Sequence, residues 1–301
     1  MSVFVHKESR VIIQGFTGQH ATFHAEESMK NGTTVVGGVT PGKGGQEVEG
    51  VPVFDTIREA WEQTGPIDVS VLYIPAPIVK SAALEAIAAG VKLLVIIPDR
   101  VPIWDVLAIS KAAKEAGAMF TGPNCLGVLS PDKAVVGMIG GRAASARAWF
   151  FPGPVGVTSR SGGMTSSTAY YLAQEGIGAT TLVHVGGDAV IGLPHPEVIK
   201  LFQQDPETKA IVMFGEIGGS QEERVADLIE SGEVTKPVVA YIGGKAAKSG
   251  TRFSHAGAII EGGRGTYEGK VDRLRSVGAT VVEAFGDLPA ATKEVLAKLD
   301  L

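Results

Sequence analysis

The sequence predicts an α/β protein made of two tandem doubly wound domains. Three observations carry this. Short apolar runs alternate with helical patterns along nearly the whole chain, the rhythm breaks once at 129–153, and glycines gather where the apolar runs end. The 301 residues suffice for two domains of ordinary size, and 45% apolar against 20% charged residues describes packed cores. The 40 glycines follow no G-X-Y period, which points to tight backbone sites of the kind that hold phosphates.

In the first half, "RVIIQG" (10–15), "TTVVGG" (33–38), "VSVLYI" (69–74), "KLLVII" (92–97) and "AMFTG" (118–122) read as buried parallel strands. Between them "TFHAEESMKN", "IREAWEQ", "KSAALEAIAAG" and "WDVLAISKAAKEAG" read as helices, the last two stopped by glycine. The segment 129–153 is rich in glycine, proline and small residues and reads as the connection. It divides the chain into domains 1–128 and 129–301. The second half restarts with "PVGVTS" (154–159), "TTLVHV" (180–185), "AIVMFGEI" (210–217), "PVVAYIGG" (237–244) and "ATVVEAF" (279–285). Helical patterns such as "QEERVADLIESG" and "LPAATKEVLAKL" follow them. Ligands of such sheets bind beyond the carboxyl ends of the strands, where the glycine-rich segments fall.

The bulk numbers exclude several classes. A formal net charge of −5 argues against a nucleic-acid surface. The single cysteine, Cys125, excludes an intramolecular disulfide and a thiolate-rich zinc site, and no metal site is read elsewhere. No apolar run approaches the roughly 20 residues of a membrane span. The start "MSVFVHKESR" lacks a signal-peptide core, so a cytoplasmic protein is expected, or a mitochondrial-matrix one if a targeting segment has been removed.

Four loops carry chemistry. After the first strand, Gly15, Gly18 and Ala21 have the spacing of a dinucleotide fingerprint, with Thr17 beside the turn and a helix N-terminus to hold phosphate. The second strand ends "VVGGVTPGKGG", without the acid an NAD site needs for ribose, and presents Lys43 between Gly42 and Gly44. No Ser or Thr follows that lysine, so it is not a P-loop. This domain suits a phosphate-bearing nucleotide of another kind, and a nicotinamide oxidoreductase is disfavoured. In the second half "TSRSGGMTSS" (158–167) follows a strand and opens a helix, an anion cradle. Glu216 in "FGEIGGS" stands at a strand end, able to orient an imidazole, and His255 lies in the glycine-rich "RFSHAGAIIEGGRGT". An oriented imidazole beside an anion site is what a phosphoryl carrier requires.

"GFTG", "GGVTPGKGG", "IPAP", "GPNC", "SRSGG", "GEIGG" and "HAGAII", in this order, resemble the α subunit of succinyl-CoA synthetase and its relatives over nearly the whole chain. The resemblance implies a Rossmann-like domain that binds coenzyme A and a flavodoxin-like ligase domain with a transiently phosphorylated histidine. It also implies a separate ATP-grasp β subunit holding NTP and Mg²⁺, and a small carboxylic acid as substrate. Carried over by motif, His255 is the phosphohistidine and Glu216 its orienting carboxylate. Thr17, Gly18, Gln19, His20, Lys43, Ile97, Pro98 and Asp99 match CoA-binding positions. Ser159, Ser161 and Gly162 match the phosphate loop, and Gly163 and Ser166 the acid side of the helix start.

The chain also departs from that pattern. It has Pro98, Asp99 and Arg100 where the family has Thr-Glu-Gly, "HVGGDA" with His184 and Ala189 for "GIGGDP", and Ser254 before the histidine. After "SRSG" it reads Gly163, Met164, Thr165, Ser166, Ser167 in place of Thr-Leu-Thr-Tyr-Glu, closer to ATP-citrate lyase and citryl-CoA synthetase. Succinate remains the expected acid because it is the family's commonest substrate, with citrate or malate as the alternative that these departures favour. A non-catalytic CoA-binding regulatory protein is the alternative from another class.

Overall fold

A computed structural model describes residues 4–246, 255, 258 and 265–299. The chain forms two compact units, one of Phe4–Ala148 with Val190–Gly192, the other of Trp149–Ala189 and the chain from Leu193 onward.

In the first unit the order is β1 (Arg10–Gln14), α1 (Gln19–Lys30), β2 (Thr34–Val39), β3 (Glu47–Val48), β4 (Val51–Phe54), α2 (Ile57–Thr64) and β5 (Val69–Leu72). There follow α3 (Val79–Ala88), β6 (Leu93–Ile96), α4 (Ile103–Ala116), β7 (Met119–Thr121), β8 (Gly127–Ser130), β9 (Ala134–Gly137) and α5 (Ala143–Trp149). The sheet order is β3-β4-β2-β1-β5-β6-β7. All its pairs are parallel except the β3–β4 edge hairpin. Every residue of β5 and β6 is buried, as expected of strands covered on both faces. α4 ends where its periodicity does: Gly117 takes the left-handed conformation and Ala118 N–H bonds the Ala113 carbonyl.

The five expected strands are β1, β2, β5, β6 and β7. The hairpin β3–β4 carries Pro52, tolerated because it precedes Val53, where the pairing of β4 with β2 begins. Residues 129–153, read as a connection, are ordered. β8 and β9 form an antiparallel hairpin around Asp132, and Thr33 bonds both the N–H and the carbonyl of Val135. Glu27 accepts from Ala143 N–H at 2.6 Å, tying α5 to α1. Segment composition suggested a linker; the short strands are paired by a turn and not by long apolar runs.

The second unit continues with β10 (Pro152–Ser159), α6 (Gly162–Gln174), β11 (Ala179–His184), α7 (His195–Gln204), β12 (Ala210–Glu216), α8 (Gln221–Glu230), β13 (Val238–Gly243), α9 (Tyr267–Ser276), β14 (Thr280–Val282) and α10 (Leu288–Ala297). Its parallel strands run β14-β13-β12-β10-β11, the flavodoxin-like order. All of β11 and β12 is buried. The order reverses between β10 and β12, so the crevice for a ligand opens above the ends of those two strands. Among the described residues, no helix is long and apolar enough to cross a membrane.

Candidate functional site

In the first unit the chain leaves β1 through Gly15, at φ +79°. A Cβ there would stand 2.5 Å from the Tyr73 carbonyl oxygen, so only glycine lets the turn pass under the end of β5. Gly18 caps α1 in extended conformation without a side-chain cap, which leaves first-turn N–H groups for an anion. Thr17 N–H donates to Thr40 Oγ1 at 3.3 Å, drawing in the end of β2. These strand ends enclose a pocket of about 530 Å³ at the point where strand order reverses.

Of the expected cofactor residues, Thr17 and Gly18 line this pocket, together with Thr40, Tyr73, Ser81 and Glu85, which sequence reasoning missed. Gln19 and His20 are exposed on the first turn of α1. Lys43 is exposed on the loop after β2, and Asp55 holds that loop: its Oδ1 accepts from Lys43 N–H at 3.0 Å and from Gly44 N–H at 2.9 Å. The Gly44 N–H is the first cause that keeps the Asp55 carboxyl below the usual aspartate range. Ile97 and Pro98 follow β6 and are half-buried, the Pro98 carbonyl accepting from Asn124 N–H at 2.7 Å. Asp99 pairs with its exposed neighbour Arg100 at 2.8 Å. Neither Lys43 nor the three residues after β6 line the pocket. Cys125 is buried below, bonded to Thr121 Oγ1 and the Ile96 carbonyl, and burial pushes its thiol up to about 11.

In the second unit Ser159 ends β10 and Glu216 ends the neighbouring β12. Ser159 Oγ accepts from Ser161 N–H at 3.0 Å and donates to the Ser161 carbonyl at 2.9 Å, closing a tight loop before α6. Ser161 caps α6 without a side-chain hydrogen bond, and Gly162 and Gly163 begin the helix. The first-turn N–H groups after Ser161 are therefore not capped by a side chain, which leaves them available to an anion.

The Glu216 carboxylate is held from two sides. Its Oε2 accepts from His255 Nδ1 at 2.8 Å, and its Oε1 stands 3.2 Å from Nε of Arg160, whose side chain is buried. A carboxylate only accepts, so the bonded ring nitrogen carries the proton and Nε2 of a neutral imidazole keeps its lone pair. The His255 side chain is 21% exposed, open enough for a reactant and closed enough to be oriented. Of the segment around it, residues 252–254, 256–257 and 259–264 lie outside the described residues, Ser254 among them.

Two histidines that the sequence did not assign sit beneath. His184, at the end of β11, donates from Nε2 to the Arg160 carbonyl at 3.0 Å. His195, at the start of α7, bonds Thr158 Oγ1 through Nδ1 at 2.9 Å. Burial lowers both to about 4, so each is neutral at pH 7. Arg160 and His184 were legible only as part of their motifs; their common signal is position at adjacent strand ends.

Along α6, Ser166 and Ser167 with Trp149 and Tyr170 enclose a pocket of about 260 Å³. Tyr170 meets Trp149 edge to face at 5.9 Å. Gly163 lies one turn earlier and is exposed, with open space where its Cβ would be. The two aromatic walls were missed in the sequence, although Tyr170 is one helical turn from Ser166. No group of three or more metal-ligating side chains occurs among the described residues.

Comparison with known proteins gives the domains and the family of the chain. Residues 6–99 match the CoA binding domain family and residues 158–280 the CoA-ligase family. The α subunit of ADP-forming succinate–CoA ligase from Aquifex aeolicus is 45% identical over 99% of this chain and 95% of its own. A second such subunit, α 2 from Archaeoglobus fulgidus, is 44% identical over 99% of this chain and 100% of its own. Among solved structures, ATP citrate lyase from Methanosaeta concilii superimposes with a TM-score of 0.92 at 22% identity. That match covers 98% of this chain and 50% of the lyase chain, so the chain spans half the lyase's length and the likeness concerns the fold.

Proposed function

Because the chain belongs to the succinate–CoA ligase α-subunit family, we propose that it activates a dicarboxylate, with succinate as the acid, through a phosphate carried on His255. The CoA-binding and CoA-ligase domains make it a subunit of a CoA ligase that uses coenzyme A. The partner in this reading is a β subunit of ATP-grasp type, which binds NTP and supplies Mg²⁺ for charge neutralisation.

The observation that carries the reading is the bond of 2.8 Å between His255 Nδ1 and Glu216, beside the N-terminus of α6. His255 Nε2 attacks the γ-phosphorus of NTP; the N–P bond forms as the P–O bond to NDP breaks. The imidazole ring gains positive charge, and Glu216 stabilises it through the Nδ1 proton. Anionic phosphate oxygens meet the Ser161 hydroxyl, which caps no N–H of the helix, and the first-turn N–H groups of Gly162 and Gly163. A carboxylate oxygen of the acid then attacks phosphorus and the N–P bond breaks, giving an acyl phosphate. The CoA thiolate attacks the acyl carbon, phosphate departs and the thioester remains.

CoA belongs in the pocket of the first unit. Its phosphates suit the uncapped start of α1 beside Thr17 and Gly18, and the Lys43 ammonium, with Gln19 and His20 on the exposed first turn. Ile97, Pro98 and Asp99 would serve a more distant part of so long a molecule. The fit rests on the donor set: backbone N–H groups and hydroxyls at the sheet's switch point, with one cation on the adjoining loop after β2.

A second reading of the acid has its own observation. The space beside Ser166, walled by Trp149 and Tyr170, favours a larger or hydroxylated acid such as citrate or malate. The His255–Glu216 pair disfavours a purely regulatory CoA-binding protein, which would have no use for an oriented imidazole.

The test is to incubate the chain and its β subunit with γ-labelled NTP and Mg²⁺. An acid-labile phosphate should appear and be absent from His255→Asn. An acid-stable label, or turnover by that variant, overturns the assignment.

A further inference from the structure

We propose that Lys270 is a positioning residue for the reaction: its buried ammonium, held by Glu222, Glu223 and the Gly219 carbonyl, fixes the strand end bearing Glu216, whose carboxylate holds His255 Nδ1. The inference rests on the phosphohistidine reading and adds to it the device that keeps the pair in register.

Lys270 and Glu222 have fully buried side chains and form a direct ion pair. Lys270 Nζ also donates to Glu223 Oε2 at 2.9 Å and to the Gly219 carbonyl at 3.3 Å, so three acceptors share its three protons. The two carboxylates stand in the first turn of α8, where a helix dipole favours anions. Lys270 stands in α9, the helix that follows the His255 segment. The ammonium thus joins the element after Glu216 to the element after His255.

Glu222 extends the connection to the reacting pair. Its second oxygen, Oε1, accepts from the backbone N–H of Glu216 at 3.0 Å. The carboxylate lies so close over the strand that a Cβ on Gly215 would stand 2.6 Å from Oε1. On the other side, the Gly265 carbonyl accepts from Gly218 N–H at 2.8 Å, and a Cβ on Gly265 would stand 2.8 Å from Gly218 Cα. The backbone leading into α9 is therefore laid directly on the loop that follows Glu216. Lys270 closes the same joint from inside.

Packing alone gives no reason for the charge. Val225, Val271 and Leu274 are buried on α8 and α9, and an apolar residue at 270 would dock the helices without desolvating an ammonium. What the charge adds is direction. Lys270 pulls on Oε2 of Glu222 and so aims Oε1 at Glu216 N–H, which sets the carboxylate that holds His255 Nδ1.

The experiment compares Lys270→Met and Glu222→Gln with wild type in the assembled enzyme. It reads folding by circular dichroism, phosphate uptake, and the ¹⁵N signals of the His255 ring. Wild type should show one tautomer, protonated at Nδ1. Each folded variant should show a mixture and take up phosphate at least tenfold more slowly, with CoA affinity unchanged. If Lys270→Met does not fold, Glu222→Gln decides, since it keeps the shape and an acceptor for Glu216 N–H while removing the charge. Wild-type ring signals in a folded variant overturn the proposal, whatever its rate. A wild-type enzyme that takes up no phosphate refutes the phosphohistidine reading alone, because the tautomer measurement needs no turnover.

Discussion

Glu216 and His255, 39 residues apart in sequence, meet through a single hydrogen bond of 2.8 Å from the ring Nδ1 to the carboxylate Oε2. In the proposed reaction that one contact fixes which ring nitrogen attacks phosphorus. Glu216→Gln keeps the volume but removes the charge that answers a developing imidazolium. Phosphate uptake in the assembled enzyme should slow by about tenfold or more, the lower bound taken from losing a carboxylate that orients a metal-bound histidine. Equal rates in rapid-quench measurements would reduce Glu216 to a structural acid.

Lys43 and Asp55 separate charge from scaffold on the loop after β2, which adjoins the proposed CoA pocket through Thr40 and Pro41. Lys43→Ala should weaken CoA by about 1.5–3 kcal/mol if its ammonium donates to a phosphate. Asp55→Ala should also weaken binding, although its side chain need touch no ligand, because the loop loses the acceptor for two N–H groups. Calorimetry at high salt distinguishes them: the Lys43 effect should shrink with screening more than the Asp55 effect. If Lys43→Ala leaves affinity unchanged at low salt, that lysine is not part of the site.

Ser166→Tyr would place a ring in the space between Trp149 and Tyr170. In the assembled enzyme the ratio of kcat/KM for succinate over citrate or malate should rise, on the order of tenfold for a pocket difference of about 1–3 kcal/mol. An unchanged ratio would detach this pocket from the choice of acid.

His184 and His195 make the second unit sensitive to mild acid. Both are held near 4 by burial, whereas an unfolded histidine titrates near ~6.5. Between those values the unfolded chain binds more protons, so stability is full above about pH 6.5 and falls as the pH drops toward 4. Two such groups together amount to roughly 4 kcal/mol lost by pH 5. Urea titrations at pH 7.5 and 5 should show the drop, and His195→Gln should flatten it. Equal midpoints for the wild type would contradict the burial argument.

The strands with long apolar runs were legible because a parallel strand covered on both faces must be apolar at nearly every position; β5, β6, β11 and β12 are such strands. The hairpins β3–β4 and β8–β9 were not, because a few residues around a turn leave no period to read. Glu216 and His255 could be paired in advance through the family resemblance and the chemistry of an oriented imidazole. Arg160, His184 and Lys270 could not. Their roles arise from register between neighbouring strands and from helices brought together in space, and local sequence holds neither. Asp55 is similar: it reads as a plain loop acid until the fold sets it beneath Gly44.

The burial of Cys125 has a practical consequence for anyone following this chemistry. It is the only cysteine in the chain, 2% exposed, with its thiol raised to about 11. At neutral pH it is neither accessible nor ionised, so a colorimetric thiol reagent added to a reaction should leave this chain uncoloured. The disappearance of free CoA–SH can then be read directly against a silent background from this subunit. A cysteine engineered onto the surface would likewise give the chain a single attachment point for a fluorophore.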